Sequence, residues 1–341
     1  MDAIVLAGGY ATRLWPVTTH RPKMFLPLGD STVIDRIFAE LEEDDRVDDV
    51  YVSTNERFAG EFREYLAAAD FEKPALSIED TTGESEKFGV ISALAQLVDR
   101  EEISDDTVVI AGDNYISFDV SDFLDFFQEA KSPTIAAYDV GSRDRATSYG
   151  VVELEGDRIV DFAEKPEHPK SSLVSIACYG FPSDSIDLLE TYLEEGNNPD
   201  EPGWFVQWLQ DRTPTHAFTF DGAWFDIGTA ESYLDAVEYE LDGEALVADE
   251  ATVENTSIGS GVQVLGDAVV RDSDLARTVI FPETEIANAS VSESIIDRKS
   301  TVDGVDLHES LIGQHSQLED PDTDTAPETT ANADETVQAD D

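Results

Sequence analysis

The chain has 341 residues with 75 acidic against 21 basic side chains, a formal net charge of −54. That charge excludes nucleic acid and anionic membrane surfaces as partners, because repulsion would oppose every contact. The single cysteine, Cys178, excludes a disulfide framework and a Cys-based zinc site.

Ala3-Ile4-Val5-Leu6 reads as a buried strand that stops at Gly8-Gly9. Ser31 is placed to cap a helix over Thr32 to Glu43, where Val33, Ile34, Ile37, Phe38 and Leu41 recur at helical spacing. A strand follows at Val50-Tyr51-Val52, then a helix from Phe58 to Ala69 and a strand at Leu76 to Ile78. A further helix is expected from about Val90 to Val98, and a buried strand from Thr107 to Ala111 that ends at Gly112-Asp113. Such alternation predicts an α/β, Rossmann-like and mostly parallel sheet flanked by helices. Ligands in that architecture bind beyond the carboxyl ends of the strands. Alternating runs on either side of Glu155-Gly156-Asp157, within Val151 to Phe162, signal a hairpin and make the sheet mixed.

Helical periodicity disappears after Leu241, and single aliphatics then recur every five to seven residues, as at Ile258-Gly259, Leu265-Gly266, Ile286-Ala287 and Ile296-Asp297. Repeats of about six residues predict a short left-handed parallel β-helix, with coils of roughly 18 residues; an irregular β-sandwich is the alternative. The expected division is a catalytic unit over 1–240, a β-helix over 241–318 and a disordered tail over 319–341. Glu319 to Asp341 carries nine acids and no basic residue, which leaves little to bury. No run of about 18 apolar residues exists to span a membrane, and the N-terminus lacks a signal-peptide pattern. A cytoplasmic protein is expected. The acids are dispersed along the chain and only 7 of the basic residues are lysine, which suits a salt-saturated cytoplasm where ions screen self-repulsion.

One stretch escapes the acid. Residues 3 to 29 contain none, which random placement would produce about once in a thousand. The stretch runs Leu6-Ala7-Gly8-Gly9-Tyr10-Ala11-Thr12-Arg13-Leu14 and then Arg21-Pro22-Lys23-Met24-Phe25-Leu26-Pro27. A glycine turn at a strand end lets backbone N–H groups approach a ligand, and Arg13 and Lys23 bring positive charge to the same end. The combination suits a polyphosphate, although it matches neither the Walker pattern nor the dinucleotide fingerprint.

Leu-Ala-Gly-Gly-x-x-Thr-Arg-Leu followed by Pro-Lys-x-x-Leu-Pro resembles the signature of the sugar-1-phosphate nucleotidylyltransferases, over about residues 1 to 238. It is most similar to the glucose-1-phosphate thymidylyl- and uridylyltransferase group, in a haloarchaeal form. Ala111-Gly112-Asp113-Asn114, Tyr149-Gly150-Val151-Val152-Glu153 with Glu164-Lys165-Pro166, and Trp224-Phe225-Asp226-Ile227-Gly228-Thr229 fall in the family's order. The resemblance implies transfer of a nucleotidyl group from a nucleoside triphosphate, dTTP or UTP, to a sugar 1-phosphate such as glucose 1-phosphate, with release of pyrophosphate. It implies nucleotide binding by Leu6, Gly8, Gly9, Thr12 and Gly89, with Arg13 on the β/γ-phosphates and Lys23 on the α-phosphate. Lys165 would hold the sugar phosphate, and Tyr149, Gly150, Glu164 and Val174 would line the hexose. Asp113 and Asp226 would hold Mg²⁺, a hard cation that takes one or two carboxylates plus phosphate oxygens; a helix cap is the other reading of Asp226.

The sequence departs from the family between Glu79 and Gly89, leaving the base open, and at Ala177-Cys178-Tyr179, which bears on pocket volume. Mannose 1-phosphate with GTP is a close variant. A non-catalytic nucleotide-sugar sensor and a bifunctional acyltransferase are the readings from other classes. The five histidines show no metal spacing, and Trp15, Trp204, Trp208 and Trp224 are expected to pack among apolar neighbours. Homo-oligomerisation through the exposed faces of a β-helix is also expected.

Overall fold

The computed structural model describes residues 1–79 and 89–320. The acidic tail beyond 320 and the departing segment 80–88 lie outside them. A nine-stranded sheet runs in the order Pro74–Glu79, Val50–Asn55, Asp2–Leu6, Thr107–Ala111, Leu173–Phe181, Thr134–Asp139, His216–Thr219, Arg158–Glu164, Gly150–Glu155. Its first four strands are parallel, as the alternating pattern requires. Leu173–Phe181 is antiparallel to both its neighbours and also meets Gly150–Glu155, so the sheet is mixed.

Strand alternation distributes the core to two faces. Ala3, Val5, Val108 and Ile110 meet Ile34, Ile37 and Phe38 of helix Val33–Glu43 and Phe123 of helix Val120–Ala130. Ile4 and Val109 point to the other face, against Ile91, Leu94 and Leu97 of helix Val90–Arg100 and Phe205 of helix Pro202–Gln210. The helix expected to be capped by Ser31 starts one residue later. Thr32 stands at its N-cap and the Asp35 carboxylate accepts from the Thr32 N–H at 2.6 Å. The extended conformation of Thr32 turns its N–H towards that carboxylate.

From Ala245 onward all pairings are parallel. Ala245–Val247 pairs with Val262–Val264, Thr252–Glu254 with Val269–Arg271, and Ser257–Ile258 with Asp274–Leu275. Each coil therefore contributes three short strands, which removes the sandwich alternative. Successive partners such as Val279 and Ile295, or Glu285 and Thr301, are 16 residues apart rather than the expected 18. The turns are tight: Asp267, Glu283, Lys299 and His315 recur in the left-handed region, each turning a corner with one residue. Val262, Val270, Leu275, Ile286, Val291, Ile296 and Val302 fill the interior.

The helix Ala230–Glu240 joins the two parts. Tyr233, Leu234 and Val237 share one apolar cluster with Leu14, Val17 and Leu26 from the N-terminal segment and Val279, Phe281 and Ile295 from the coils. Arg277 reinforces the seam by pairing with Asp235, Glu238 and Glu293. Among the described residues no helix is long and apolar enough to cross a membrane.

Candidate active site

A cleft of about 540 Å³ opens at the carboxyl ends of the parallel strands, in the size range of small-molecule sites. Leu6, Gly8, Gly9, Gly89, Asp113, Tyr149, Gly150, Glu164, Lys165 and Asp226 all line it. Residues scattered over 220 positions of sequence thus meet because each follows, or sits beside, a strand end.

The glycine turn is held from the neighbouring strand. The Asn55 amide donates to the Gly8 carbonyl at 2.8 Å, and Thr54 Oγ1 donates to the Ala7 carbonyl at 3.3 Å. A side chain at Gly8 would meet the Glu79 carboxylate at 3.1 Å. Ala11 adopts φ 48°, and the short helix Thr12–Leu14 follows. Thr12 and Arg13 are exposed at this turn. The Arg13 guanidinium lies over Gly228, where a Cβ would come within 2.9 Å of Nη2. Lys23, only 8% exposed, pairs with the Asp113 carboxylate.

Asp113 and Asp226 reach the cleft on a two-stranded ribbon, Asn114–Ile116 against Trp224–Asp226, with Asp226 opposite Asn114. The Ile227 N–H donates to the Asp113 carbonyl at 3.1 Å, which locks the two together. Burial and then the Asp113 charge push the Asp226 carboxyl up, while Lys23 and Arg13 pull it down. Asp226 caps no helix. That position belongs to Thr229, whose Oγ1 accepts from the Ser232 N–H at 3.1 Å. Two hard carboxylates, close enough for the Asp113 charge to act on Asp226 and flanked by cations, fit a metal that completes its shell with substrate oxygens. No group of three or more His, Cys, Asp or Glu able to hold a metal exists among the described residues, so an all-protein cage is not what this site offers.

On the other side, Lys165 Nζ donates to Glu201 Oε1 at 2.5 Å, and its N–H donates to the Tyr149 carbonyl at 3.1 Å. The Tyr149 and Trp224 rings meet edge-on at 5.0 Å. The Glu164 carboxylate fits between two glycines: a Cβ at Gly203 would fall 1.7 Å from Oε2 and one at Gly150 2.8 Å from it. Gly89 is required twice over. Its φ is +85°, and a Cβ there would lie 2.5 Å from the Pro199 carbonyl, which accepts from the Ile91 N–H. Val174 does not line the cleft. It is fully buried with Val140, Ala146 and Val151 beneath Tyr149 and Trp224, because its position on Leu173–Phe181 turns it away from the opening. Trp15, expected to pack, is 44% exposed, with the Arg57 guanidinium 5.8 Å from its ring.

Sequence reasoning missed Glu79, Asp200, Glu201 and Gly203 as cleft residues. Gly203, next to Pro202 at a helix start, left a local signal, but acids in so acidic a chain leave none. Among the described residues six carboxylates therefore line the cleft, with Lys165 in the same lining and Lys23 and Arg13 behind it, at Asp113 and over Gly228.

Burial pushes the Glu164 carboxyl up to about 7 from an ordinary 4.5, with Lys165 opposing and Glu201 adding to the rise. The folded chain thus binds this proton more tightly than the unfolded one. The group costs nothing below about pH 4.5, its cost grows as pH rises to about 7, and it stays constant above that. Glu164→Gln is expected to match the parent in urea unfolding at the acid end and to exceed it by about 1–3 kcal/mol at pH 8. Equal stability at both pH values would show a carboxyl that titrates normally.

A family model described as "Nucleotidyl transferase" matches residues 2–243. A curated relative from Sulfolobus acidocaldarius, provisionally named a mannose-1-phosphate guanyltransferase, is 28% identical over 69% of this chain. The chain spans only 61% of that relative's own length. A glucose-1-phosphate thymidylyltransferase from Streptomyces griseus is 27% identical, with 93% of each chain covered. Among solved structures, a Bacillus anthracis chain provisionally named a glucose-1-phosphate thymidylyltransferase, in complex with sucrose, superposes with a TM-score of 0.61. It is 26% identical, and the match covers 71% of this chain and 96% of that one.

Proposed function

Since the chain belongs to the nucleotidyl transferase family, we propose that it joins a nucleoside triphosphate to a sugar 1-phosphate, releasing pyrophosphate and a nucleotide sugar. The carrying observation is the convergence of Lys23 and Arg13, from the acid-free segment, on the carboxylate pair Asp113 and Asp226 in the cleft that also holds Lys165. Glucose 1-phosphate with dTTP or UTP is the preferred pair, supported by the thymidylyltransferase matched along 93% of both chains. The similarity to a chain named for mannose 1-phosphate and guanosine transfer keeps that pair in the assay.

Two anions must meet for this reaction, so charge neutralisation and alignment carry most of the rate. The Gly8-Gly9 turn would lie against the nucleotide and Gly89 would leave room for the base. Arg13 would hold the β/γ-phosphates and stabilise the departing pyrophosphate, and Lys23 would face the α-phosphate. Lys165 would exchange its Glu201 partner for the sugar phosphate, aiming one of its oxygens in line with the leaving group. Tyr149, Gly150 and Glu164 would border the hexose. Asp113 and Asp226 would hold a magnesium ion, which would supply further charge neutralisation at the α-phosphate. The six carboxylates among the described lining residues make that neutralisation a requirement, since they would otherwise repel both substrates.

The test is a matrix of nucleoside triphosphates against sugar 1-phosphates, assayed for pyrophosphate with magnesium in molar KCl. One pair should stand out, and its turnover should vanish with EDTA. Absence of pyrophosphate from every pair would overturn the catalytic reading in favour of a nucleotide-sugar sensor.

A further inference from the structure

The segment that carries Arg13 and Lys23 is held from outside the catalytic sheet. Arg21, two residues before Lys23, donates from Nη2 to Asp297 Oδ1 at 2.5 Å, across 276 residues of sequence. Both side chains are buried, at 9% and 3% exposed, and the guanidinium sits 4.5 Å from the centre of the Phe281 ring. Asp297 is itself fixed within the coils: its N–H donates to the Ile312 carbonyl at 2.9 Å, and its carbonyl accepts from Thr284 Oγ1 at 3.1 Å. On either side of Arg21 the segment is fitted to the coils again. Pro16 lies so close to Gly313 that a Cβ there would come within 2.9 Å. Buried Gln263 brackets Gly29, donating to its carbonyl at 2.9 Å and accepting from its N–H at 3.3 Å.

A buried ion pair is a poor source of net stability, because desolvation offsets the Coulombic gain and an apolar pair of similar volume often serves better. Arg21 Nε, buried without a hydrogen-bond partner among the described residues, adds to that cost. What such a pair supplies is direction, since a charge-assisted hydrogen bond fixes orientation where apolar contacts allow sliding. We propose that Arg21 and Asp297 are positioning residues for the triphosphate site, and that the coil carrying Asp297 buttresses the segment bearing Lys23 rather than standing as a separate module. This rests on the proposed nucleotidyl transfer, in which Lys23 must meet the α-phosphate. A displacement of about 1 Å at such a group can cost on the order of 100-fold in rate.

The test uses the full chain with Asp297→Asn and with the paired Arg21→Met/Asp297→Leu replacement, read by turnover, melting and amide hydrogen exchange. Asp297→Asn is expected to lower kcat about 30- to 100-fold, with the sugar-phosphate KM within about 2-fold of the parent. The paired variant should recover the parent melting temperature yet keep kcat at least about 10-fold down. Exchange at residues 12–26 should quicken in both, while strand Thr107–Ala111 is unchanged. If Asp297→Asn fails to fold, the paired variant carries the test alone. A folded paired variant with parent-like kcat overturns the proposal, and so does lost turnover without faster exchange in that segment. If the parent itself releases no pyrophosphate, the reaction assignment falls. The exchange measurement then still decides whether Asp297 holds the segment.

Discussion

Asp226→Asn is expected to lower kcat by about 10²- to 10³-fold while leaving the chain as stable as before, or more so. The two effects separate because this carboxylate works against the fold that carries it. It is half-buried, and its pKa is raised first by desolvation and then by the Asp113 charge. An isosteric amide removes both costs while keeping the ribbon pairing of Asp226 with Asn114, which uses backbone alone. The same change strips one of two hard ligands from the proposed magnesium site. Melting with and without magnesium completes the picture: the parent should gain stability as the ion binds, and the variant should lose that gain. Turnover within about 3-fold of the parent would remove Asp226 from the metal site.

Lys23→Met should have the second largest effect, about 100-fold in kcat, with the opposite stability signature. Lys23 is 8% exposed and pairs with Asp113, and it is the first cation that offsets the charge of Asp226. Methionine keeps the stem and removes the charge, leaving two neighbouring carboxylates with less to balance them. A loss of about 1–3 kcal/mol is expected in urea unfolding without metal. Magnesium should restore most of it, because the ion takes over the missing positive charge. A variant equally stable with and without magnesium would show that the two carboxylates do not share an ion. The two substitutions thus move stability in opposite directions while both remove activity, a pattern that a merely misfolded site would not give.

Much of the fold was legible because its signals are local. Apolar runs ending at glycine mark the two central parallel strands, Asp2–Leu6 and Thr107–Ala111, and helical spacing at Val33, Ile34, Ile37, Phe38 and Leu41 marks the first long helix, all five buried as read. Glu155-Gly156-Asp157 turns a hairpin, and Gly156 takes the positive φ of 69° such a turn needs. The repeat after Leu241 announced coils but miscounted their length. Single residues in the left-handed region make the corners, and nothing in a hexad count says how many residues a corner takes. Val174 was misjudged for a related reason. Whether a strand residue faces a cleft or a core depends on the parity of its position: Ser175, Ala177 and Tyr179 take the cleft side of this strand, so Val174 falls on the other.

By itself the sequence set apart an N-terminal segment suited to phosphate, since glycines, Arg13 and Lys23 stand together in 27 residues without an acid. Contiguity of charge and backbone flexibility is a one-dimensional property, so it could be read in one dimension. Only the tertiary structure decided what surrounds that segment. Strand order brings Glu79, Asp113, Glu164, Asp200, Glu201 and Asp226 into the same cleft, so a stretch cleared of acid in sequence is ringed by acid in space. The same long-range pairing sets Asp297 of the coils on Arg21. Each of these neighbours is chosen by sheet crossovers and coil stacking, which join residues too far apart for any local pattern to register.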